Sequence, residues 1–382
     1  MDEPIVVGID IGTTKICTLV ARLEGETDMR ILGNGIVPSQ GIKKGIVVDI
    51  TAASDAVASS VEKAQRSSGL EIASAVVSMA GSHVSSMNSR GVVGINGGEI
   101  DQNDLDRALE AAQAVAMPHN REVIHVIQRG ITVDGQEGIR SPIGFKGYRL
   151  EVEAHIITAA AATVENLRRC VESSGVEVSN FVLNPLASAE VVLSQTEREM
   201  GVCVLDIGGG TSDLAIYING DVWHTNVIPV GGNQVTSDIA IGLRIPLDLA
   251  EDVKLKHGHA VKTEINQDDF ITLKVFGEEA PQQISKRDLA YIIEARVDEL
   301  FTLVQQEIRR SGYDSMLPAG IVLTGGTSLL PGIRTVASRV LNMPVRLAKP
   351  ENLVGLVDKL QSPAYSTSFG LLKWAEMFNM AA

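Results

Sequence analysis

An α/β fold built from two related halves around a cleft is the expectation, and three observations carry it. A β-branched strand, Asp-Ile-Gly, a polar turn and a second strand occur twice, as VVGIDIGTTKICTLV from Val6 and as VCVLDIGGGTSDLAI from Val202. Each copy is followed by alternating strand and helix patterns rather than by strands alone. The chain has 382 residues and a mass of 40.7 kDa, too much for one core at roughly 150 residues per domain. Composition excludes several other classes. The 45% hydrophobic content argues against disorder, and the 4% aromatic content argues against a base-stacking surface. A net charge of −14 repels nucleic acid and anionic lipid at long range, so no nucleic-acid partner is expected. Cys17, Cys170 and Cys203 show no CxxC spacing and the histidines form no HExxH, which leaves no case for zinc or disulfides and fits a reducing cytosol. The opening MDEPIVVGID is unlike a basic-then-apolar signal peptide. The most apolar stretch, 154–164, is far shorter than the ~20 residues of a membrane span.

Taken in order, Val6–Ile11 and Ile16–Ala21 form a hairpin whose turn is Gly-Thr-Thr-Lys. Ala53, Val57, Val61 and Ala64 mark a helix over 52–67, and 75–79 is a buried strand. Richer in glycine and polar residues, 82–153 reads as an inserted α/β domain with strands at 123–127 and 131–133 and a helix over 103–116. The first half resumes with a helix over 163–173 stopped at Gly175, a strand at 178–183 and a helix over 185–193. After the second hairpin (202–207 and 214–218) come two helices within 231–258 and a polar, strand-rich stretch to Val275. The strongest helix is 285–310, opened by Ser285 and Asp288, with an apolar stripe from Leu289 through Ile293, Val297, Phe301 and Val304 to Ile308. Ile321–Thr324 then runs as a strand into Gly325 and Gly326, and a helix follows over 332–341. These patterns divide the chain into a first lobe (1–82 and 156–196, rejoined by a last helix over 364–382), an insert (83–155), a second lobe (197–230 and 321–363) and its own insertion (231–320).

No GxxxxGK[ST] occurs, and no GxGxxG joins a first strand to a helix, so a phosphate site has to be built otherwise. Glycines let a backbone approach closely, successive N–H groups and threonine hydroxyls donate to phosphate oxygens, and an aspartate at a strand end can hold Mg²⁺ through water. One such hairpin alone is equally well a solvated turn. Two of them, followed in order by Val-Leu-Thr-Gly-Gly-Thr at 322–327, make a clamp for a nucleoside triphosphate the expectation.

Five segments then resemble one superfamily. DIGTTK at 10–15, LNPLASAE at 183–190, LDIGGGTSDLAI at 205–216, IVLTGGTSLLPGI at 321–333 and STSFGLL at 366–372 are similar to the phosphate-1, connect-1, phosphate-2, adenosine and connect-2 segments of actin, heat-shock chaperone ATPases and sugar kinases. The implied fold is actin-like, the duplicated ribonuclease H-like architecture. Within it, the insertion after VVSMAGSHVSSMNSRGVVGIN and the later GGNQVTSDIAIGLRIPLDLAEDVKLKHG resemble the FtsA family, bacterial actin homologues that tether the FtsZ ring.

The resemblance implies ATP and Mg²⁺ as cofactors. Asp10 and Asp206 would organise the metal, while Gly12, Thr13, Thr14, Gly208, Gly209, Gly210, Thr211, Gly231 and Gly232 surround the phosphates. Gly325, Gly326 and Thr327 would flank the nucleoside, with Glu251 and Lys254 near ribose and base. Lys15 is either a phosphate partner or a screened surface lysine. Asn184 stands where relatives place a water-orienting amide, yet as Asn-Pro it reads better as a helix cap, so little or no ATPase activity is expected. His257 and His259 read as a helix C-terminal turn rather than a metal site.

Implied partners are the FtsZ C-terminal tail, further copies of the chain in a head-to-tail filament, and other division proteins, at the cytoplasmic face of the membrane at the division site. The 285–310 helix is the expected platform for the tail, with Arg287, Arg296 and Lys286 beside its apolar stripe. Family members reach the membrane through a C-terminal basic amphipathic helix. The segment 371–378 carries one lysine and one glutamate and is expected to be a core helix instead, the anchor having been removed or being absent. Competing expectations are a PilM-like pilus-assembly protein and a small-molecule kinase. The kinase would need a spare cleft carboxylate that no cleft loop obviously offers, and a chaperone would need a further substrate domain.

Overall fold

In the computed structural model, which describes residues 4–24, 28–96, 98–114, 118–351, 354–356 and 360–381, the first Asp-Ile-Gly segment folds as β1 (Ile5–Ile11) and β2 (Lys15–Glu24). The strands are antiparallel, with Asp10 opposite Cys17. β3 (Asp28–Pro38) extends the sheet; Gly33 and Gly35 interrupt its alternation, which hides it from a reading by pattern. A small hairpin of β4 (Ile42–Lys43) and β5 (Ile46–Val47) leads into α1 (Ile50–Ser68). Asp49 caps that helix by accepting from the Ala52 N–H, and Gly69 ends it in the left-handed region. β6 (Ser74–Met79) is the buried strand expected there. Met1–Glu3, the start of the acidic opening segment, lie outside the described residues.

The insert comprises β7 (Ser85–Gly94), α2 (Gln102–Gln113), β8 (Arg121–Val133) and β9 (Arg149–Ala160). Its sheet order is β7-β9-β8, and α2 covers it through a small core of Ile100, Ala108, Ile131, Leu150 and Val152. The two expected strands at 123–127 and 131–133 are one strand, kept continuous by register shifts at Val123/His125 and Gln128/Gly130. Val115 and Ala116 of the expected helix lie outside the described residues.

α3 (Ala161–Glu172), β10 (Glu177–Leu183), α4 (Asn184–Val192) and α5 (Gln195–Met200) return the chain to the first lobe. The second copy follows as β11 (Val202–Ile207) and β12 (Ser212–Ile218), with Asp206 opposite Asp213, and then β13 (Asp221–Ile228). α6 (Gly232–Leu243), α7 (Leu247–His257), β14 (Phe270–Leu273), β15 (Gln282–Ser285) and α8 (Lys286–Ser311) form the second insertion. β16 (Ile321–Thr324), α9 (Ile333–Leu341) and β17 (Val345–Leu347) complete the second sheet.

With β18 (Val354–Gly355) at one edge, the two main sheets are ordered β10-β6-β1-β2-β3-β18 and β13-β12-β11-β16-β17. In both, the hairpin lies at the centre, flanked by a parallel strand, so the hairpin turns emerge at corresponding ends. β18 pairs with β3, so the chain rejoins the first sheet by 354 instead of at 364, and the expected second-lobe limit of 363 is corrected on this point. α10 (Ser366–Ala381) buries Phe369, Leu371, Leu372 and Ala375 in the first core. Its approach to α4 is close enough that a Cβ on Gly370 would stand 1.8 Å from the Ala187 carbonyl oxygen. Among the described residues no helix is long and apolar enough to cross a membrane.

Candidate functional site

Between the two hairpins lies a cleft of about 530 Å³, within the usual range for small-molecule sites. Its walls include Asp10, Gly12, Thr13, Thr14 and Lys15 from the first hairpin, Asp206, Gly208, Gly209, Gly210, Thr211 and Asp213 from the second, and Gly325, Gly326 and Thr327 after β16. Both turns close in the same way: the Gly12 N–H donates to the Lys15 carbonyl at 3.0 Å, and the Gly208 N–H to the Thr211 carbonyl at 2.9 Å. The turns also touch. A Cβ on Gly209 would stand 2.1 Å from Thr14 Oγ1, and one on Gly210 would stand 2.5 Å from Thr13 Oγ1, so the second loop has to be glycine where the first presents hydroxyls.

The N-terminus of α6 anchors the second loop. Gly232 and Asn233 donate their N–H groups to the carbonyls of Gly208 and Gly209 at 3.0 and 2.8 Å, and Thr327 Oγ1 donates to Gly208 at 2.9 Å. Gly231 stands behind this loop and is not part of the wall; a Cβ there would lie 2.6 Å from the Gly208 oxygen. Gly232 itself lines the cleft.

At the floor are three buried carboxyls. Asp10 accepts a hydroxyl bond from Ser368 at 2.8 Å and Asp206 one from Thr367 at 2.7 Å, so the first turn of α10 straddles the acids of both lobes. Burial pushes Asp206 up to about 6 and raises Asp10. Asp213 is driven well above the ordinary carboxylate range, first by burial and then by the neighbouring Asp206 charge. Thr211 donates to Asp213 Oδ2, but Asp213 Oδ1 and Asn184 Oδ1 are buried acceptors with no donor among the described residues. Orphaned acceptors among crowded acids suit a hydrated divalent cation, which supplies both positive charge and water donors. No three of His, Cys, Asp and Glu converge closely enough among the described residues to chelate a metal alone, so such an ion would be held in part through water.

Three earlier expectations change. Asn184 is not a cap: it lies in the first turn of α4, makes no capping bond, and lines the cleft. Asp213 is the spare cleft carboxylate that the sequence had not offered. Its signal was present, since an aspartate seven residues after Asp206 across a four-residue turn must lie opposite it. Lys15 is half-buried, donating to the Ala364 carbonyl at 2.5 Å and lying 4.5 Å from the Tyr365 ring centre, so it is not a solvated surface lysine.

On the other side, Lys254 donates to Glu251 at 2.7 Å, to Thr236 Oγ1 at 2.9 Å and to the Gly232 carbonyl at 3.2 Å. Val235, Leu255, Leu329 and Leu330 add an apolar wall beside this cluster. His257 ends α7, and His259 Nδ1 accepts from the Val261 N–H, a local turn as expected. Neither Arg287 nor Arg296 is among the residues that line the cleft. The guanidinium of Arg296 is held by Asp238 at 2.5 and 3.0 Å and by Glu299 at 2.5 Å. The stripe beside them is buried along its length, from Leu289 through Val297 to Ile308, because α6 and α9 pack over it; it is core and not an open groove.

A family model described as "Cell division protein FtsA" matches residues 203–370, and one described as "SHS2 domain inserted in FTSA" matches 81–158. The chain is 44% identical over 369 residues to the cell division protein FtsA of Pseudomonas aeruginosa, covering 97% of this chain and 88% of that one. It is 37% identical over 382 residues to the Escherichia coli K12 protein of that name (98% and 91% covered) and 38% identical over 371 residues to that of Bacillus subtilis (97% and 83% covered). Among solved structures, the PilM–PilN type IV pilus biogenesis complex aligns with a TM-score of 0.70 at 15% identity, covering 97% of this chain and 98% of that one. MreB5 of Spiroplasma citri bound to ADP aligns with a TM-score of 0.56 at 15% identity, covering 99% and 96%. Both likenesses are of the actin-like fold.

Proposed function

The chain belongs to the FtsA family of cell division proteins, and from that premise we propose that it is an ATP-binding, actin-like adaptor that polymerises and links the FtsZ ring to the cytoplasmic face of the membrane. One observation carries the nucleotide half of this reading: two hairpins press threonine hydroxyls against glycine backbone above three buried carboxyls. Mg²⁺ bound there would neutralise those acids and the phosphates together. Thr13, Thr14 and Thr211 with the backbone of Gly12 and Gly208–Gly210 bind the phosphates. Asp10 and Asp206 hold the metal's water shell, and Glu251, Lys254 and Gly325–Thr327 seat the nucleoside. Asn184 and Asp213, both on the cleft wall, orient water in this reading, and slow turnover is expected. Asp206→Ala removes one of the acids; isothermal titration then shows Mg-ATP affinity falling at least tenfold with the fold retained. Unchanged affinity would sink the assignment.

For assembly, we take 83–155 as a unit. It leans on β13, where Ser86 Oγ donates to the Thr225 carbonyl at 2.9 Å and His155 meets Thr225 Oγ1 at 3.0 Å. Ile143, Phe145 and Tyr148 remain exposed on its loop, a surface suited to the next copy in a head-to-tail filament. For the FtsZ tail, α8 offers exposed Tyr291 one turn after Arg287, and α6 exposes Ile241. The membrane contact in this reading belongs to a C-terminal anchor, since α10 is committed to the core. The 0.70 TM-score with the PilM–PilN complex keeps a pilus-assembly role as the second reading. Pull-down by an FtsZ-tail peptide and not by a PilN N-terminal peptide separates the two.

A further inference from the structure

The β4–β5 hairpin reaches from the first lobe to the second phosphate loop across the cleft. Its two-residue turn is Lys44-Gly45, with φ of +50° and +73°. This is the mirror-image turn that fits a twisted hairpin, and glycine or asparagine usually occupies its first position. A lysine there pays a backbone cost that only a specific environment sustains. Gly45 is wedged in place: its N–H donates to Thr13 Oγ1 at 3.2 Å, and a Cβ on it would stand 2.8 Å from the Ala80 carbonyl carbon. On the other lobe, a Cβ on Gly210 would stand 3.0 Å from the Lys44 Cα. The turn therefore touches both phosphate loops at once, and Gly45 is part of the cleft wall.

The order of contacts along the second loop gives the turn a position. Gly208 is bonded to Thr327 and Gly232, on the nucleoside side, while Gly210 faces Thr13 and Lys44. A phosphate chain running from the nucleoside across these loops would end at Gly210, against the Lys44 backbone. Among the described residues the lysines that line the cleft are already committed, Lys15 to the Ala364 carbonyl and Lys254 to Glu251. Lys43 and Lys44 are exposed and, among the described residues, neither forms an ion pair.

We propose that Lys44 is a further nucleotide-binding residue: its ammonium neutralises the terminal phosphate of a bound triphosphate, so that the β4–β5 turn distinguishes nucleoside triphosphate from diphosphate. A compact, freely rotating ammonium on a flexible stem suits this task, and a charge-assisted bond to phosphate is stronger than a neutral one. The inference rests on the proposed nucleotide site. Its test is titration of the full chain with Mg-AMPPNP and with Mg-ADP, comparing wild type, Lys44→Gln and Lys44→Arg. Lys44 is exposed, so neither substitution threatens the fold. Lys44→Gln is expected to weaken Mg-AMPPNP roughly tenfold and Mg-ADP less than threefold, with Lys44→Arg restoring most of the difference. Unchanged Mg-AMPPNP affinity, or equal losses for both nucleotides, overturns the role of Lys44 and leaves the cleft assignment standing. Wild-type chain that binds neither nucleotide removes the site and this inference together.

Discussion

Aspartate 206 and its opposite number Asp213 show how one hairpin register turns a repeat into chemistry. The first hairpin pairs Asp10 with Cys17, a buried thiol raised to about 12, whereas the second pairs two carboxyls. A buried acid whose native value is about 6 takes up a proton on folding only between about pH 4 and about 6, where the unfolded group is ionised and the folded one is not, so its contribution to stability falls as pH rises across that window. Buried neutral His125 and His155, lowered to about 4 and about 3, act in the opposite sense, losing stability as pH falls below about 6.5. The comparison of wild type with Asp206→Asn isolates the acid. Without nucleotide the variant should be more stable at pH 7, by on the order of 2 kcal/mol, with the gain shrinking toward pH 4 in urea titrations. An equal difference at both pH values would mean that Asp206 is still ionised at pH 4 in the empty cleft and that burial does not raise it. The Asp-Ile-Gly pair and its threonines were legible in the sequence because local turn chemistry writes them. Asp213 was legible in principle, through register alone.

Helix α10 illustrates what no local pattern reveals. Its hydroxyl bonds to Asp206 and Asp10 span separations of 161 and 358 residues, so only the resemblance of STSFGLL marked the segment, and the roles of Thr367 and Ser368 went unseen. Likewise the apolar stripe of α8 was read correctly as a stripe, but what covers it depends on α6 and α9, which the spacing does not report. β3 was missed because Gly33 and Gly35 break the alternation that marks a strand. The position of α10 rests on its contact with α4 at Gly370. Gly370→Ala should push the helices apart, cost about 2–4 kcal/mol in chemical denaturation, and weaken Mg-ATP by moving Thr367 and Ser368 off the acids. Stability lost with nucleotide affinity unchanged would show that α10 supports the fold and not the site.

At the level of the molecule, the duplication set the architecture: two sheets with central hairpins bring their turns together, and the later insertions extend from the frame without altering it. Boundaries were less legible, as β18 shows, because a two-residue edge strand has no signature of its own. If the insert's exposed loop joins successive copies, Tyr148→Glu should abolish filaments in electron micrographs while leaving nucleotide titrations intact; filaments of normal length would place the contact elsewhere. The two-hairpin clamp itself is tested most directly by hydrogen exchange with and without Mg-AMPPNP. The expected result is simultaneous protection of 10–15, of 206–213 and of the first turn of α10. Protection confined to one hairpin, or absent from both, would contradict a nucleotide held between the two halves.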